Sequence, residues 1–253
     1  PVIEQYFHYL SGLIRGDLGQ SYQQRQPVTE VIADSLGPTA ALAGAALLLA
    51  ILVSVTSATL TSGRGAVAPV PPRTLALLAV SVPSFWIGLL LLTAFSFQIP
   101  IFPSSGARGF DSLVLPAITL AIPMTGVLTQ VLRERFDEAL GQPFITTVRT
   151  RGATEVRVRL VHALRHAVIP ALTFSGAILG SLLVGTAVVE TLFARPGLGR
   201  TLLTAVLGND VPLVMGIVIF GSLVFVVVNS LVDVLATAID PRSKLKTRGG
   251  SGW

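Results

Sequence analysis

The sequence predicts an all-α fold, a polytopic bundle of transmembrane helices. Three observations carry that prediction. The 253 residues are 51% hydrophobic and only 12% charged, with mean hydropathy +0.74. Soluble domains carry about 25% charged residues. Five long apolar runs succeed one another, at about residues 39–61, 74–97, 113–132, 167–190 and 212–239. At about 1.5 Å per residue, runs of roughly 20 to 28 residues reach across the ~30 Å hydrocarbon core of a bilayer. Basic residues gather between the runs, as membrane topology requires.

Each element has its own local reason. Residues 1–38 are polar and mixed, and form a first segment. Within it, residues 2–10 place apolar side chains at helical spacing, Arg15-Gly16-Asp17-Leu18-Gly19-Gln20-Ser21 is rich in turn formers, and residues 28–36 read as a short amphipathic helix. Residues 39–239 are the membrane domain. Pro83, Pro116 and Pro123 lie in or beside its spans and predict kinks, since proline removes a helical hydrogen bond. Gly176 and Gly180 are spaced to let two helices approach closely. Residues 240–253 form a tail.

One polar interruption, residues 133–170, breaks the apolar pattern. It holds seven arginines and two of the three histidines. Its centre predicts two short helices, residues 144–151 and 155–167, hinged at Gly152. Such an elbow presents a compact ridge to a soluble partner.

Basic residues also set the orientation. Arg64, Arg73, the seven arginines of the interruption and Arg242, Lys244, Lys246 and Arg248 make thirteen of the eighteen Lys and Arg. Arg15, Arg25, Arg108, Arg195 and Arg200 fall on the opposite side. This places the loop 133–167 and the C-terminus in the cytoplasm and residues 1–38 outside. An outer N-terminal segment without a targeting sequence leads us to expect a further span before residue 1.

Several chemistries are excluded. The chain has no cysteine, so disulfides, thiolate metal sites and cysteine nucleophiles are absent. Its lysines are Lys244 and Lys246, and no glycine-rich phosphate loop precedes them. His162 and His166 are four apart, but no third metal ligand accompanies them, and a solvated basic face is the better reading. No Ser-His-Asp set is apparent, so no catalytic residue is assigned. The pI near 10.4 does not imply nucleic acid, because the charges lie between spans. Ionisable groups within the runs are few, Glu190 and Asp233 at their ends. An ion-coupled transporter or channel needs charges at mid-membrane, which weighs against both.

The elbow resembles the cytoplasmic EAA loop of permeases in binding-protein-dependent ABC importers. Gly152 takes the glycine position and Leu164 the later leucine. Thr146-Thr147-Val148 stands for Glu-Ala-Ala, His162 for Ile and Arg165 for Pro. Further stretches resemble the B-type permease of dipeptide, oligopeptide and nickel importers. They are Gly16-Asp17-Leu18-Gly19-Gln20-Ser21, Ser81-Val82-Pro83-Ser84-Phe85-Trp86, His162-Ala163-Leu164-Arg165-His166-Ala167, Val189-Glu190-Thr191-Leu192-Phe193 with Pro196-Gly197-Leu198-Gly199, and Asp240-Pro241-Arg242. The resemblance runs along essentially the whole chain.

It implies a type I ABC importer permease in a bacterial inner membrane, with five spans here and a first one missing. It implies a heterodimer with a C-type permease, two cytoplasmic ATPase subunits that bind ATP and Mg, and an external solute-binding protein. Thr146, Thr147, Arg151, Gly152, Ala153 and Glu155 would couple to an ATPase. Gly16, Asp17, Gly19, Pro83, Trp86, Glu190, Pro196, Gly197, Gly199, Asp240, Pro241 and Arg242 would be structural motif residues. The stretch 190–212 would face the binding protein. Peptides are the expected cargo, with nickel chelates or other small solutes as the alternative.

Overall fold

The computed structural model describes residues 2–62, 80–165, 182 and 185–239. The described secondary structure is helical apart from one isolated bridge, Gln20 to Pro27. The helices are α1 (Val2–Ile14), α2 (Val28–Thr61), α3 (Ser84–Leu92), α4 (Asp111–Leu140), α5 (Pro143–Thr150), α6 (Glu155–Arg157), α7 (Leu198–Leu207) and α8 (Val211–Ile239). Residues 185–192 are also helical. Two segments, Thr93–Gln98 after α3 and Val158–Ala163 after α6, widen into π-helix.

Among the described residues, three helices are long and apolar enough to cross a membrane: Val28–Thr61, Asp111–Leu140 and Val211–Val234. The expected run 167–190 lies mostly outside the described residues, as do Gly176, Gly180, His166 and Asp240-Pro241-Arg242. The run 74–97 is described only from residue 80. There the helix breaks at Val82 and Pro83 and restarts at Ser84.

Helix α2 starts earlier than the sequence suggested. The expected short helix at 28–36 and the span from residue 39 are one helix of 34 residues, with Pro38 inside it. A proline there forfeits one backbone bond. A continuous buried stripe offsets that loss: Val28, Ile32, Ser35, Thr39, Leu42, Ala46, Ala50, Ser54, Ala58 and Ser62 recur every three or four residues. From Ala46 onward the stripe is all Ala and Ser, which lets neighbouring backbones approach. Leu48, Ile51 and Leu52 are exposed. In a membrane helix, exposed apolar side chains meet lipid.

Helix α4 also outruns its apolar stretch. It continues from the run 113–132 through Arg133 to Leu140, so the first part of the polar interruption is helix, not loop. Pro116 and Pro123 lie within it without ending it.

The chain divides into two compact units. The first comprises Pro1–Ala46, Ser84–Leu120 and Ser181–Phe225. Its core packs Val28, Val31 and Ile32 of α2 against Ala205 of α7 and Leu213 and Ile217 of α8. Gly216 permits this approach, because a Cβ there would run into Val28 Cγ1. The second comprises Leu47–Pro83, Ala121–Gly180 and Val226–Trp253. Its core packs Ala58 of α2 against Leu132, Phe136 and Ala139 of α4 and Ala163 of the second π-helical segment.

Gly216→Leu overfills the first core. Overpacking costs about 1–3 kcal/mol, so this variant is expected to unfold at a lower temperature in detergent, as circular dichroism would show. Gly221→Ala is the control, since a Cβ there meets open space.

Candidate functional site

The elbow is built from residues 143–163. Pro143 sits at the first turn of α5, where its missing N–H costs nothing, and Ile145 buries one face completely. The helix ends in a glycine-specific reversal. Gly152 N–H donates to Arg149 O at 2.9 Å and Ala153 N–H to Val148 O at 3.3 Å. This is the Schellman pattern, which needs a left-handed residue just past the helix end. Gly152 supplies it at φ +84°. Thr154 then caps the next turn, its hydroxyl accepting from Arg157 N–H at 3.4 Å.

Ion pairs and a buried bond brace the reversal. Arg149 Nε donates to Glu155 Oε1 at 2.7 Å and its Nη2 to Oε2 at 3.3 Å, joining the helices on either side of Gly152. That hydrogen bond from Arg149, with the charges of Arg149 and Arg159, holds the Glu155 carboxyl below the usual carboxylate range. Arg159 lies 3.8 Å from Glu155 and reaches back to α2, donating from Nη1 to Thr59 O at 2.6 Å. Val158 and Ala163 are fully buried beneath. The elbow is thus fastened to α2 on one side and, through Ala163, to Phe136 and Ala139 of α4 on another.

Of the residues singled out in the sequence, Thr146, Thr147, Arg151, Gly152 and Glu155 are exposed and Ala153 is half-buried. They form one stretch of surface. A Cβ on Gly152 would meet nothing within 4 Å. The need for glycine there is therefore conformational, not steric.

A second cluster lies in the other unit. Glu190 is fully buried. Its Oε2 accepts from the backbone N–H of Gly199 at 2.8 Å and of Arg200 at 3.2 Å, so it caps the start of α7 from outside that helix. Thr39 of α2 donates to Glu190 Oε1 at 2.6 Å and accepts from Leu198 N–H at 2.8 Å. The two glycines of Pro196-Gly197-Leu198-Gly199 are required by space: a Cβ on Gly197 would overlap the Glu190 carboxylate, and one on Gly199 the backbone of Ala187. Arg195, buried, donates from Nη1 to Ser112 O at 2.8 Å and Gly106 O at 3.2 Å.

The Gly16-Asp17-Leu18-Gly19 turn belongs to the same unit. Gly16 and Gly19 both adopt φ +82°, and Asp17 Oδ1 accepts from Gly19 N–H at 2.8 Å. Pro83 precedes the first residue of α3, and Trp86 is half exposed.

Sequence reasoning passed over Asp210. Its buried carboxylate accepts from Ser21 Oγ, from Tyr22 N–H and Gln23 N–H at 3.2 Å each, and from Leu213 N–H at 3.4 Å. It both caps α8 and clasps the loop before α2. An Asp just before a Pro-containing helix start was the available signal. Thr39 carried none.

Among the described residues no group of three His, Asp or Glu is placed to hold a metal ion.

Comparison with known proteins decides the family. Residues 71–245 match the model of the binding-protein-dependent transport system inner membrane component. The chain belongs to that family. Its fold is that of the helical type I importer permeases, and it is a membrane protein, a permease subunit of a transport system. It is 39% identical over 251 residues to a protein of Brucella suis biovar 1 named as a peptide transport system permease protein, covering 96% of this chain and 80% of the relative. It is 35% identical over 254 residues to the glutathione transport system permease protein of Escherichia coli O6:H1, covering 97% and 81%. The corresponding protein of strain K12 is 34% identical.

The Asp210 clasp has a defined pH response. Burial pushes this carboxyl up, but the hydrogen bonds from Ser21, Gln23, Tyr22 and Leu213 outweigh it and hold the group below its usual value. A depressed carboxyl stabilises the fold above its unfolded pKa and loses that contribution as pH falls through the folded one. The thermal stability gap between wild type and Asp210→Asn is therefore expected to be full at neutral pH. It should close as pH drops below about 4, the ordinary range for aspartate.

Proposed function

We propose that this chain is the B-type permease of an ATP-driven importer of di- and oligopeptides, and that the elbow around Gly152 is where ATPase motion enters it. The observation that carries this reading is the elbow itself. It is a polar ridge, exposed at Thr146, Thr147, Arg151 and Gly152, yet fixed to α2 through the Arg159–Thr59 bond and to α4 through Ala163. A surface that is free outside and clamped inside can pass a push to the helices it is clamped to.

The assembly in this reading holds a C-type permease as heterodimer partner, two cytoplasmic ATPase subunits and an external solute-binding protein. The chain itself carries no catalytic residue, and ATP and Mg are bound by the ATPases. It resides in a bacterial inner membrane with the elbow and C-terminus in the cytoplasm, as the basic residues of the loop favour. The Pro196-Gly197-Leu198-Gly199 turn and α7 then lie outside, towards the binding protein. Approach of the ATPases shifts the elbow, and α2 and α4 follow, opening the path between the permeases outward. Hydrolysis reverses it. This is a two-state element biased by a ligand on a partner.

Peptides are favoured as cargo because the relatives named above are a peptide permease and a glutathione permease. A nickel chelate or another small solute is the alternative. Uptake of labelled tripeptides and of nickel by vesicles holding the whole transporter separates them.

Gly152→Val tests the coupling role. A β-branched residue at φ +84° strains the turn by about 1–2 kcal/mol or more, and the reversal between α5 and α6 is lost. We expect assembly and basal ATP hydrolysis to persist while solute uptake falls on the order of tenfold or more, the size of a 1.4 kcal/mol effect. Unchanged solute-stimulated uptake would refute the role.

A further inference from the structure

We propose that Gln130, with Glu134 one turn further on, lines the solute path and takes the amide and ammonium groups of a passing peptide. The inference rests on the permease reading above and adds the residues of the path.

Helix α4 is packed unlike the other two long helices. Over their most apolar stretches, 61% of α4 is buried, against 28% for α2 and 17% for α8. Helix α4 is thus the most enclosed of the three. From Ser112 to Leu132 every residue of it is buried or half-buried, with one exception, Gln130. Exposed positions on α2 and α8 are filled mainly by Leu, Ile and Val, such as Leu48, Ile51, Val218 and Val226, and the exposed hydroxyls of Thr56 and Ser222 donate back to their own helix, which a Gln side chain does not do. The exposed position of α4 is an amide. A primary amide facing hydrocarbon leaves two donors and an acceptor unmet, which costs several kcal/mol on the order of a lost hydrogen bond each. An amide facing water or solute costs little.

Glu134 follows at i+4 from Gln130, also exposed, on the same face of the helix. An amide that both donates and accepts, one turn from a carboxylate, matches the main-chain amide and terminal ammonium of a short peptide.

Because residues 1–253 hold no cysteine, Gln130→Cys places a single thiol among them. The whole transporter, in membrane vesicles, is treated with a charged, water-borne thiol reagent. Val226→Cys, on the exposed apolar face of α8, is the lipid-facing comparison. The thiolate is the reacting species and needs water, so Gln130→Cys should react on the order of tenfold faster than Val226→Cys. Labelling should also block uptake of trialanine, and Gln130→Leu should raise KM for it more than it lowers kcat. Labelling no faster than at Val226→Cys, in vesicles that do take up trialanine, overturns the inference alone. Rapid labelling without effect on that uptake overturns it too. Wild-type vesicles that take up no trialanine would sink the peptide reading, and this inference with it.

Discussion

The bond from Arg159 to the carbonyl of Thr59 is the constraint on which the elbow depends. A short helical reversal on a membrane protein is useful as a lever only if its base is held. Hydrogen bonds to a charged group contribute about 1.5–3 kcal/mol each, and this one is made by a side chain only 12% exposed. It ties the segment after Gly152 to the last turns of α2. The Arg149–Glu155 pair ties the segment before Gly152 to the same arginine's neighbourhood. The glycine reversal therefore has both arms pinned, while its outer surface stays open. Without Arg159 the elbow would be held to α2 and α4 only by the packing of Ala163 with Ala58, Phe136 and Ala139.

The other unit uses a different device for the same end. There a carboxylate replaces the arginine. Glu190 and Asp210 each cap a helix they do not belong to or only just precede, and each draws in a distant strand of chain: Thr39 for Glu190, Ser21 to Gln23 for Asp210. The glycines of 196–199 allow the backbone to close on Glu190 without a clash. Buried carboxylates satisfied by backbone N–H groups fix loops well, because losing the partner leaves a charge unpaired.

Parts of this were legible in the residues and parts were not. The elbow was in part: Pro143 opens a helix and Gly152 stops it, and the second arm starts at Glu155 as expected, but it widens into π-helix at Val158 and its expected end at 167 lies outside the described residues. The turn at Gly16-Asp17-Leu18-Gly19 was legible as a run of turn formers, whereas the close approach at Gly197 and Gly199 shows only in the folded chain. Helix α2 was misjudged because Pro38 reads as punctuation, whereas a buried stripe on every third or fourth residue carries the helix through it. Helix α4 was cut short because polarity begins at Arg133, although Phe136 and Ala139 keep one face buried. The partners of Glu190 and Asp210 were beyond reach. They sit 151 and 189 positions away in the chain; nothing sets Thr39 apart from other hydroxyls, and the motif that contains Ser21 does not say which carboxylate it meets. The π-helical stretch Val158–Ala163 likewise left no local mark.

The central claim is that the exposed face of the elbow meets an ATPase subunit. It is tested most directly by cross-linking from single cysteines placed in this naturally cysteine-free chain. Thr147→Cys sits on that face, and Leu207→Cys sits on the exposed end of α7. With a short photoactivated thiol cross-linker on the assembled transporter, Thr147→Cys should give a product containing an ATPase subunit, in a yield that changes when ATP is added. Leu207→Cys should give none. Cross-linking of the ATPase to Leu207→Cys, with none at Thr147→Cys, would contradict both the coupling role and the proposed orientation.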